Sequence, residues 1–108
     1  MKHKIMITEK DGKRKYAGMY DDELNEFVTY RNKKKHLLRK YNAWALDKKL
    51  VEEILQPNNA LINIVAKSSK EKFVITTEEF IKHSGEVEFH QHRKQLYVNI
   101  ERFKRIRL

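Results

Sequence analysis

The clearest fold signal in the chain is the apolar, largely β-branched run Leu61-Ile62-Asn63-Ile64-Val65. The turn residues Ser68-Ser69-Lys70-Glu71 follow it, and a second apolar run, Phe73-Val74-Ile75, comes next. Residues of these types favour extended, buried backbone, and a polar turn between two such runs is typical of neighbouring strands. The sequence therefore predicts a strand pair over residues 61–75.

The residues after this pair predict a short helix and two more strands. Thr76-Thr77-Glu78-Glu79 matches a capping box with Thr76 as N-cap, and Ser84-Gly85 is a stop signal for the helix. Alternation of apolar and polar residues then predicts strands around Val87 and Phe89 and around Leu96, Val98 and Ile100, joined by Arg93-Lys94-Gln95. We expect Phe103 and Ile106 to continue the last strand into a basic tail.

Before the central pair, the patterns predict a hairpin and two helical segments. Asp11-Gly12 is a turn signal between strands at about 3–9 and 13–19. A helix is expected over about 22–31, because acidic residues precede Leu24, Phe27 and Val28 at helical spacing. Residues 36–56 fit one long helix or two pieces with a bend in 42–46, and we favour two pieces, the second capped by Asp47 and ended by Pro57-Asn58-Asn59.

Length and composition limit the class of protein. The 108 residues predict a single domain, 1–108, and 40% hydrophobic residues are too many for a disordered chain. No apolar run is long enough to span a bilayer and the basic start lacks the features of a signal peptide, so we expect a cytoplasmic protein with no membrane partner. The predicted fold class is α+β, with a small antiparallel sheet, formed by the N-terminal hairpin and the C-terminal strands, and two or three helices on one face.

The positive charge of the chain is concentrated in two segments. Lys and Arg number 24 against 15 Asp and Glu, a net charge of +9. Residues 31–49 carry eight basic residues against Asp47 alone, and residues 89–108 carry six against Glu101 alone. If the fold brings these segments together they form one patch, whereas on opposite faces they mainly favour solubility.

Both segments have residue types suited to nucleic acid. Lys and Arg neutralise phosphates, and aromatic faces stack on unpaired bases. We expect phosphate contacts or stacking from Lys33, Lys34, Lys35, Arg39, Lys40 and Tyr41 and from the tail residues Arg102, Lys104, Arg105 and Arg107. Tyr97 is a second stacking candidate, although Tyr41 and Trp44 also suit a core. The competing interpretations are a solvated basic turn and an edge strand protected by charge.

A set of His and Glu residues offers a weaker chemical signal. Glu86, Glu88, His90 and His92 would share one face of a strand near His83, an arrangement compatible with a divalent metal or with acid–base cleavage of RNA. Alternation with Val87 and Phe89 is equally typical of a half-buried strand. We therefore expect no metal site and keep His83, His90 and His92 only as weak catalytic candidates.

Several function classes lack their motifs. The chain has no cysteine and three glycines, so it contains no Gly-rich phosphate loop and no zinc site built on Cys ligands. A Gly-x-Ser-x-Gly elbow and a His-Glu-x-x-His helix are also absent from the sequence. We expect no cofactor and no enzymatic activity.

The stretch His36-Leu37-Leu38-Arg39-Lys40-Tyr41-Asn42-Ala43-Trp44-Ala45-Leu46-Asp47, together with the strand pair, Thr76-Thr77-Glu78-Glu79-Phe80 and a closing strand, resembles small uncharacterised proteins of phages and other mobile elements. The resemblance covers about residues 36–103. It implies no activity and no site residues. It does imply a partner class, since such proteins often bind DNA or RNA or block a host nucleic-acid enzyme.

The leading hypothesis is a non-enzymatic protein that binds DNA or RNA through residues 31–40 and the basic tail. The alternatives are a phage-type inhibitor or adaptor that binds a nucleic-acid-processing protein and a small metal-independent ribonuclease. A homodimer is also considered, in which the last strand pairs across a two-fold axis.

Overall fold

The computed structural model describes residues 1–89 and 93–106. Within them the chain forms eight strands and four short helical segments. The strands are β1 (Lys2–Thr8), β2 (Arg14–Asp21), β3 (Glu26–Arg31), β4 (Ala43–Asp47), β5 (Leu61–Ala66), β6 (Lys72–Thr76), β7 (Gly85–Phe89) and β8 (Arg93–Asn99). The helices are α1 (Lys33–His36), α2 (Lys48–Leu50), α3 (Thr77–His83) and α4 (Ile100–Arg105), and α2 continues as a π-helical turn (Val51–Leu55) and a 3-10 turn (Gln56–Asn58).

The strands form two sheets, and the predicted α+β class is confirmed. The larger sheet has the order β1-β2-β3-β5-β6, in which β3 and β5 are parallel and the other neighbours are antiparallel. The smaller sheet has the antiparallel order β4-β8-β7. β5 and β6 share the sheet of the hairpin, whereas β7 and β8 lie in the other sheet and not in the single sheet expected. Residues from both sheets share a core that contains Phe27, Trp44, Ile62 and Val98.

The central strand pair and its flanking signals are confirmed. Leu61 pairs with Thr76 and Ile64 with Phe73 in an antiparallel register. Thr76 caps α3 by accepting a hydrogen bond from the Glu79 N–H at 3.2 Å. Asp47 likewise caps α2, and Asn59 ends that helical segment in a left-handed conformation with φ of 44°. Local cap and turn chemistry determines these boundaries, so sequence patterns predict them well.

The helix predicted over 22–31 is wrong, because the acidic residues there form a turn. Asp21 Oδ1 accepts hydrogen bonds from the N–H groups of Glu23 and Leu24, at 2.9 and 3.2 Å. Asn25 is left-handed, with φ of 52°, and Leu24 is 70% exposed. The following residues form β3 between β2 and β5, which satisfy its backbone hydrogen bonds on both sides.

The single long helix over 36–56 is also wrong, and of the two predicted pieces only the second, capped by Asp47, is confirmed. A turn with Asn42 at φ of 47° follows α1, and residues 43–47 form β4. Ala43 pairs with Asn99 and Leu46 with Leu96, so β8 is the long-range partner that makes this stretch extended. Trp44 is confirmed as a core residue, whereas Tyr41 is half-buried.

The C-terminal predictions need two corrections. Arg93-Lys94-Gln95 is not a connection, because β8 begins at Arg93, which is paired with Phe89. The tail residues up to Arg105 are not a strand extension but belong to α4. Asn99 caps this helix by accepting from the Glu101 N–H at 2.9 Å, and Ile100 and Phe103 are buried on one helix face. His90, His92 and Arg107 lie outside the described residues.

β8, the last strand in the described part of the chain, is the central strand of its sheet, with β4 on one side and β7 on the other. The homodimer stays a prediction. No helix in the described part of the chain is long and apolar enough to cross a membrane.

Candidate nucleic-acid interface

The five-stranded sheet separates charge between its two ends. The carboxyl ends of β1, β3 and β5 and the amino ends of β2 and β6 meet at one end because of the strand directions. Residues 9–15, 31–36 and 67–72, which lie there, contain eleven Lys or Arg and three Asp or Glu. Residues 21–26 and 76–79, at the opposite end, contain six acidic residues and no basic one. We call the first group of residues the basic end.

Glu71 connects the basic end to α4. Its Oε1 accepts a hydrogen bond from Lys33 Nζ at 2.9 Å, and its Oε2 lies 3.7 Å from Lys104 Nζ. The hydrogen bond from Lys33, followed by the charges of both lysines, lowers the pKa of Glu71. The two segments that carry the excess charge in the sequence are therefore neighbours in the fold.

A second set of contacts joins the same segments. The Asn99 side chain donates to the Tyr41 carbonyl, and the Ile100 N–H donates to the Asn42 carbonyl, both at 2.8 Å. The Tyr41 and Tyr97 rings are stacked, with centroids 4.3 Å apart and planes inclined by 20°. The loop after α1 is thereby held against the start of α4 independently of the Glu71 ion pairs.

The predicted cations on α1 and its loop mostly point to solvent. Lys34, Lys35, Arg39 and Lys40 are exposed and form no ion pair with the residues that the structure describes. Arg39 makes a long hydrogen bond to the Lys34 carbonyl at 3.5 Å, and Lys40 Nζ lies 5.5 Å from the Tyr41 ring centre. Lys33 differs from them because it is bound to Glu71.

His36 lies on the inner side of this cluster. Its Nδ1 accepts a hydrogen bond from the Asn32 N–H at 2.8 Å. Burial lowers the pKa of His36, and the charges of Arg31, Lys15, Lys35 and Lys67 lower it further. Four cations from β2, β3, α1 and the turn after β5 thus add to burial in opposing protonation of this imidazole.

The predicted cations of the tail are arranged along α4. Arg102 Nη1 lies 3.2 Å from His83 Nδ1, and His83 Nε2 lies 3.2 Å from Glu79 Oε2. Since a guanidinium only donates, His83 accepts through Nδ1 and donates through Nε2 to the carboxylate. Lys104 lies near Glu71 and Glu101, whereas Arg105 is exposed and has no ion pair within the described residues.

His83 and Glu86, two described members of the His and Glu set, have separate partners, and His90 and His92 lie outside the described residues. His83 links α3 to α4, as described above. Glu86 accepts from Lys48 at 2.6 Å and lies 3.7 Å from Lys94, and the bond from Lys48 is the main reason that its pKa is lowered. Among residues 1–89 and 93–106, no group of three or more His, Asp or Glu side chains is placed to hold a metal ion.

Sequence reasoning missed part of the basic end. Residues 1–30 have no net charge, which concealed that Lys13, Arg14 and Lys15 lie at one end of β2 and Asp21 at the other. The neighbouring cations Lys67, Lys70 and Lys72 belong to the part of the chain between the two basic segments, in which acidic residues outnumber basic ones. These cations are found when charges are counted at each end of the predicted strands. They are missed when charges are summed over long segments of the chain.

Two tyrosines provide exposed aromatic surface on strands that reach the basic end. Tyr16 of β2 is 50% exposed and Tyr30 of β3 is 58% exposed. Each precedes or follows a basic residue in its strand, Lys15 and Arg31 respectively. By contrast, each of the predicted stacking residues Tyr41 and Tyr97 covers one face of the other.

No protein-family model, curated protein or solved structure matches the chain. The resemblance to proteins of mobile elements stays a prediction.

Proposed function

We propose that this protein binds DNA or RNA without enzymatic activity and contacts the phosphate backbone through α1, the loop 37–40 and α4. The observation that carries the proposal is the pair of contacts from Lys33 and Lys104 to Glu71. These contacts unite the two basic segments into one surface. A continuous set of cations is what a polyanion requires, since each neutralised phosphate releases condensed counterions.

The charge state of this surface supports the proposal. Lys34, Lys35, Arg39, Lys40 and Arg105 are exposed and have no ion-pair partner in the described part of the chain. They can bind phosphates without first breaking an internal ion pair. Six acidic residues of the same sheet lie at its opposite end, against three at the basic end, so the local potential stays positive.

The secondary structure favours backbone contacts over reading of base edges. α1 has four residues and α4 has six, which is too short for a helix that enters a major groove and presents several side chains to the bases. Tyr30, which is 58% exposed, is available for stacking on unpaired bases. We therefore propose low sequence specificity.

Fluorescence anisotropy with labelled oligonucleotides tests the proposal. Single- and double-stranded DNA and RNA are compared at two salt concentrations, and binding to at least one of them is expected to weaken steeply with salt. In the variant K34E/K35E/R39E, binding at moderate salt is expected to be abolished. The residual low-salt binding is expected to have a salt slope lower by about 3, because each phosphate contact contributes about 1.

The matched control is K2E/K49E/K82E, which changes the net charge equally at three exposed lysines outside the proposed surface. It is expected to retain most of the affinity. Equal losses in the two variants would show that net charge alone drives binding and would contradict the proposed surface. Unchanged affinity in K34E/K35E/R39E would likewise contradict the proposed surface, and no binding of any oligonucleotide at low salt would contradict the function itself.

A further inference from the structure

Arg31 departs from the other basic residues of its segment because it points into the protein. Along β3, Phe27 and Thr29 are buried and face the core, and Arg31 follows them at the same two-residue spacing. Its side chain is half-buried overall, and its Nε is fully buried. The pleat of the strand therefore directs a guanidinium toward the space between the two sheets.

No carboxylate in the described part of the chain neutralises this guanidinium. Arg31 Nε makes no hydrogen bond, and the rest of the group forms no ion pair with residues 1–89 or 93–106. Burial lowers the pKa of Arg31, although a guanidinium stays protonated at neutral pH. A partly desolvated cation without a partner costs free energy, so an anion supplied from outside would be favoured.

A β-bulge brings Lys15 to the same side of the sheet. Ile5 pairs with Gly18, Met6 with Tyr16 and Ile7 with Lys15, so Ala17 is an extra residue in β2. Without the bulge, Lys15 would lie on the outer face. With it, Lys15 lies opposite the core-facing Ile7, and like Arg31 it has no ion-pair partner among the described residues.

Arg31 and Lys15 line one cavity of about 350 Å³ between the sheets. The carboxylates of that cavity already have partners: Asp47 Oδ2 accepts from Arg93 Nη2 at 2.8 Å, and Glu9 lies 3.8 Å from Arg93 Nη1. Asp11 accepts from the Lys13 N–H in the hairpin turn. Three cations that line the cavity, Lys10, Lys15 and Arg31, thus have no carboxylate partner among the described residues.

We propose that this cavity binds a phosphate monoester, held by Arg31 and Lys15. Two cations match a dianionic phosphate, and the planar guanidinium donates two parallel hydrogen bonds to phosphate oxygens. The volume exceeds that of inorganic phosphate and is in the range of small-ligand pockets.

Two sources would present the same group: a free mononucleotide or the terminal phosphate of a strand. Binding of a terminal phosphate on a strand rests on the proposed function, whereas binding of a free mononucleotide does not. A 5′-mononucleotide and its nucleoside are compared by isothermal titration calorimetry. A 5′-phosphorylated oligonucleotide and its 5′-hydroxyl form are compared by anisotropy.

We expect the mononucleotide, the 5′-phosphorylated strand or both to bind more tightly than the counterpart that lacks the phosphate. Arg31→Met is expected to reduce that preference at least about tenfold, as the loss of a hydrogen bond between charged groups does. Because Arg31→Met also removes a buried unpaired charge, its melting temperature without ligand is expected to equal or exceed that of the parent. A loss of binding that is caused by unfolding would therefore be recognised by a lower melting temperature of this variant.

Lys34→Met is the matched control, since it removes one exposed charge outside the cavity. It is expected to weaken binding of both oligonucleotide forms equally and to leave the preference for phosphate unchanged. Failure of all oligonucleotides, with the mononucleotide still bound in an Arg31-dependent way, would refute the proposed function but support the cavity site. No preference for phosphate in either pair, or the same preference in Arg31→Met, would overturn the site.

Discussion

Lys33 and Lys104 lie on either side of one carboxylate, that of Glu71, with Nζ to oxygen distances of 2.9 and 3.7 Å. Lys33 begins α1, and Lys104 lies near the end of α4. Glu71 belongs to the turn before β6, so three distant parts of the chain meet at this point. The contact reduces repulsion between the two basic segments and keeps them adjacent.

Glu71→Gln is expected to tighten nucleic-acid binding severalfold at low salt. The change removes a negative charge from the proposed surface and releases both lysines for phosphates. Because these groups are partly exposed, the free energy of unfolding should fall by no more than about 1 kcal/mol. Anisotropy and urea denaturation measure the two effects. Glu53→Gln, an exposed change elsewhere, is the control, and tighter binding in that variant as well would refute a local effect.

Substitutions at two glycines are expected to differ in cost. A Cβ at Gly18 would lie 2.6 Å from Phe27 Cζ and 2.7 Å from the Val28 carbonyl oxygen, and backbone cannot easily yield. A Cβ at Gly85 would overlap the tip of the Tyr97 ring, which can move at the expense of its stack. Gly18→Ala should therefore lower the free energy of unfolding by about 3 kcal/mol and Gly85→Ala by about 1 kcal/mol, in urea denaturation. The reverse order would contradict the packing described here.

Asp47 is expected to stabilise the fold through two separate interactions. Its Oδ1 accepts from the Leu50 N–H at 3.1 Å and its Oδ2 from Arg93 at 2.8 Å. Asp47→Ala loses the helix cap and leaves Arg93 without its nearest anion, so unfolding should become easier by about 2 to 4 kcal/mol. Asp47→Asn keeps an oxygen for the cap and should cost less. Chemical denaturation of both variants checks this, and equal losses would assign the whole effect to the charge.

His36 is expected to make stability depend on pH below neutrality. Burial and the nearby cations lower the pKa of His36 in the folded state below its ordinary 6.5, so the unfolded chain binds the proton more readily. Its contribution to stability is therefore present above pH 6.5 and is lost as the pH falls through 6.5 towards the folded-state value. His36→Asn retains an acceptor for the Asn32 N–H and removes the titration. The free energy of unfolding, measured by denaturation at pH values between 7.5 and 5.5, should fall more steeply with falling pH in the parent than in this variant. The same pH dependence in both proteins would contradict the burial of the imidazole.

Prediction from sequence succeeded where neighbouring residues decide the structure. The Asp-Gly hairpin, the strand pair at 61–75, the Thr76 cap and the stop at Pro57-Asn58-Asn59 depend on local turn and cap chemistry. It failed at 22–31 and 36–47, where helical spacing of apolar residues was outweighed by pairing with distant strands. The spacing of apolar residues in a short segment gives no information about which distant strand pairs with that segment.

For the candidate surface, too, some features follow from the sequence and others only from the tertiary structure. The chain alone determines an α+β class, a net charge of +9 and the two segments that carry the excess, because these depend on composition and local pattern. The tertiary structure decided that the segments are neighbours through Glu71. It also decided that Arg31 points inward and that Lys15, although exposed, lines the same cavity, whereas Lys34 and Lys35 lie outside it. Strand direction, pleat and one β-bulge govern those positions, and all three depend on contacts between residues far apart in the chain.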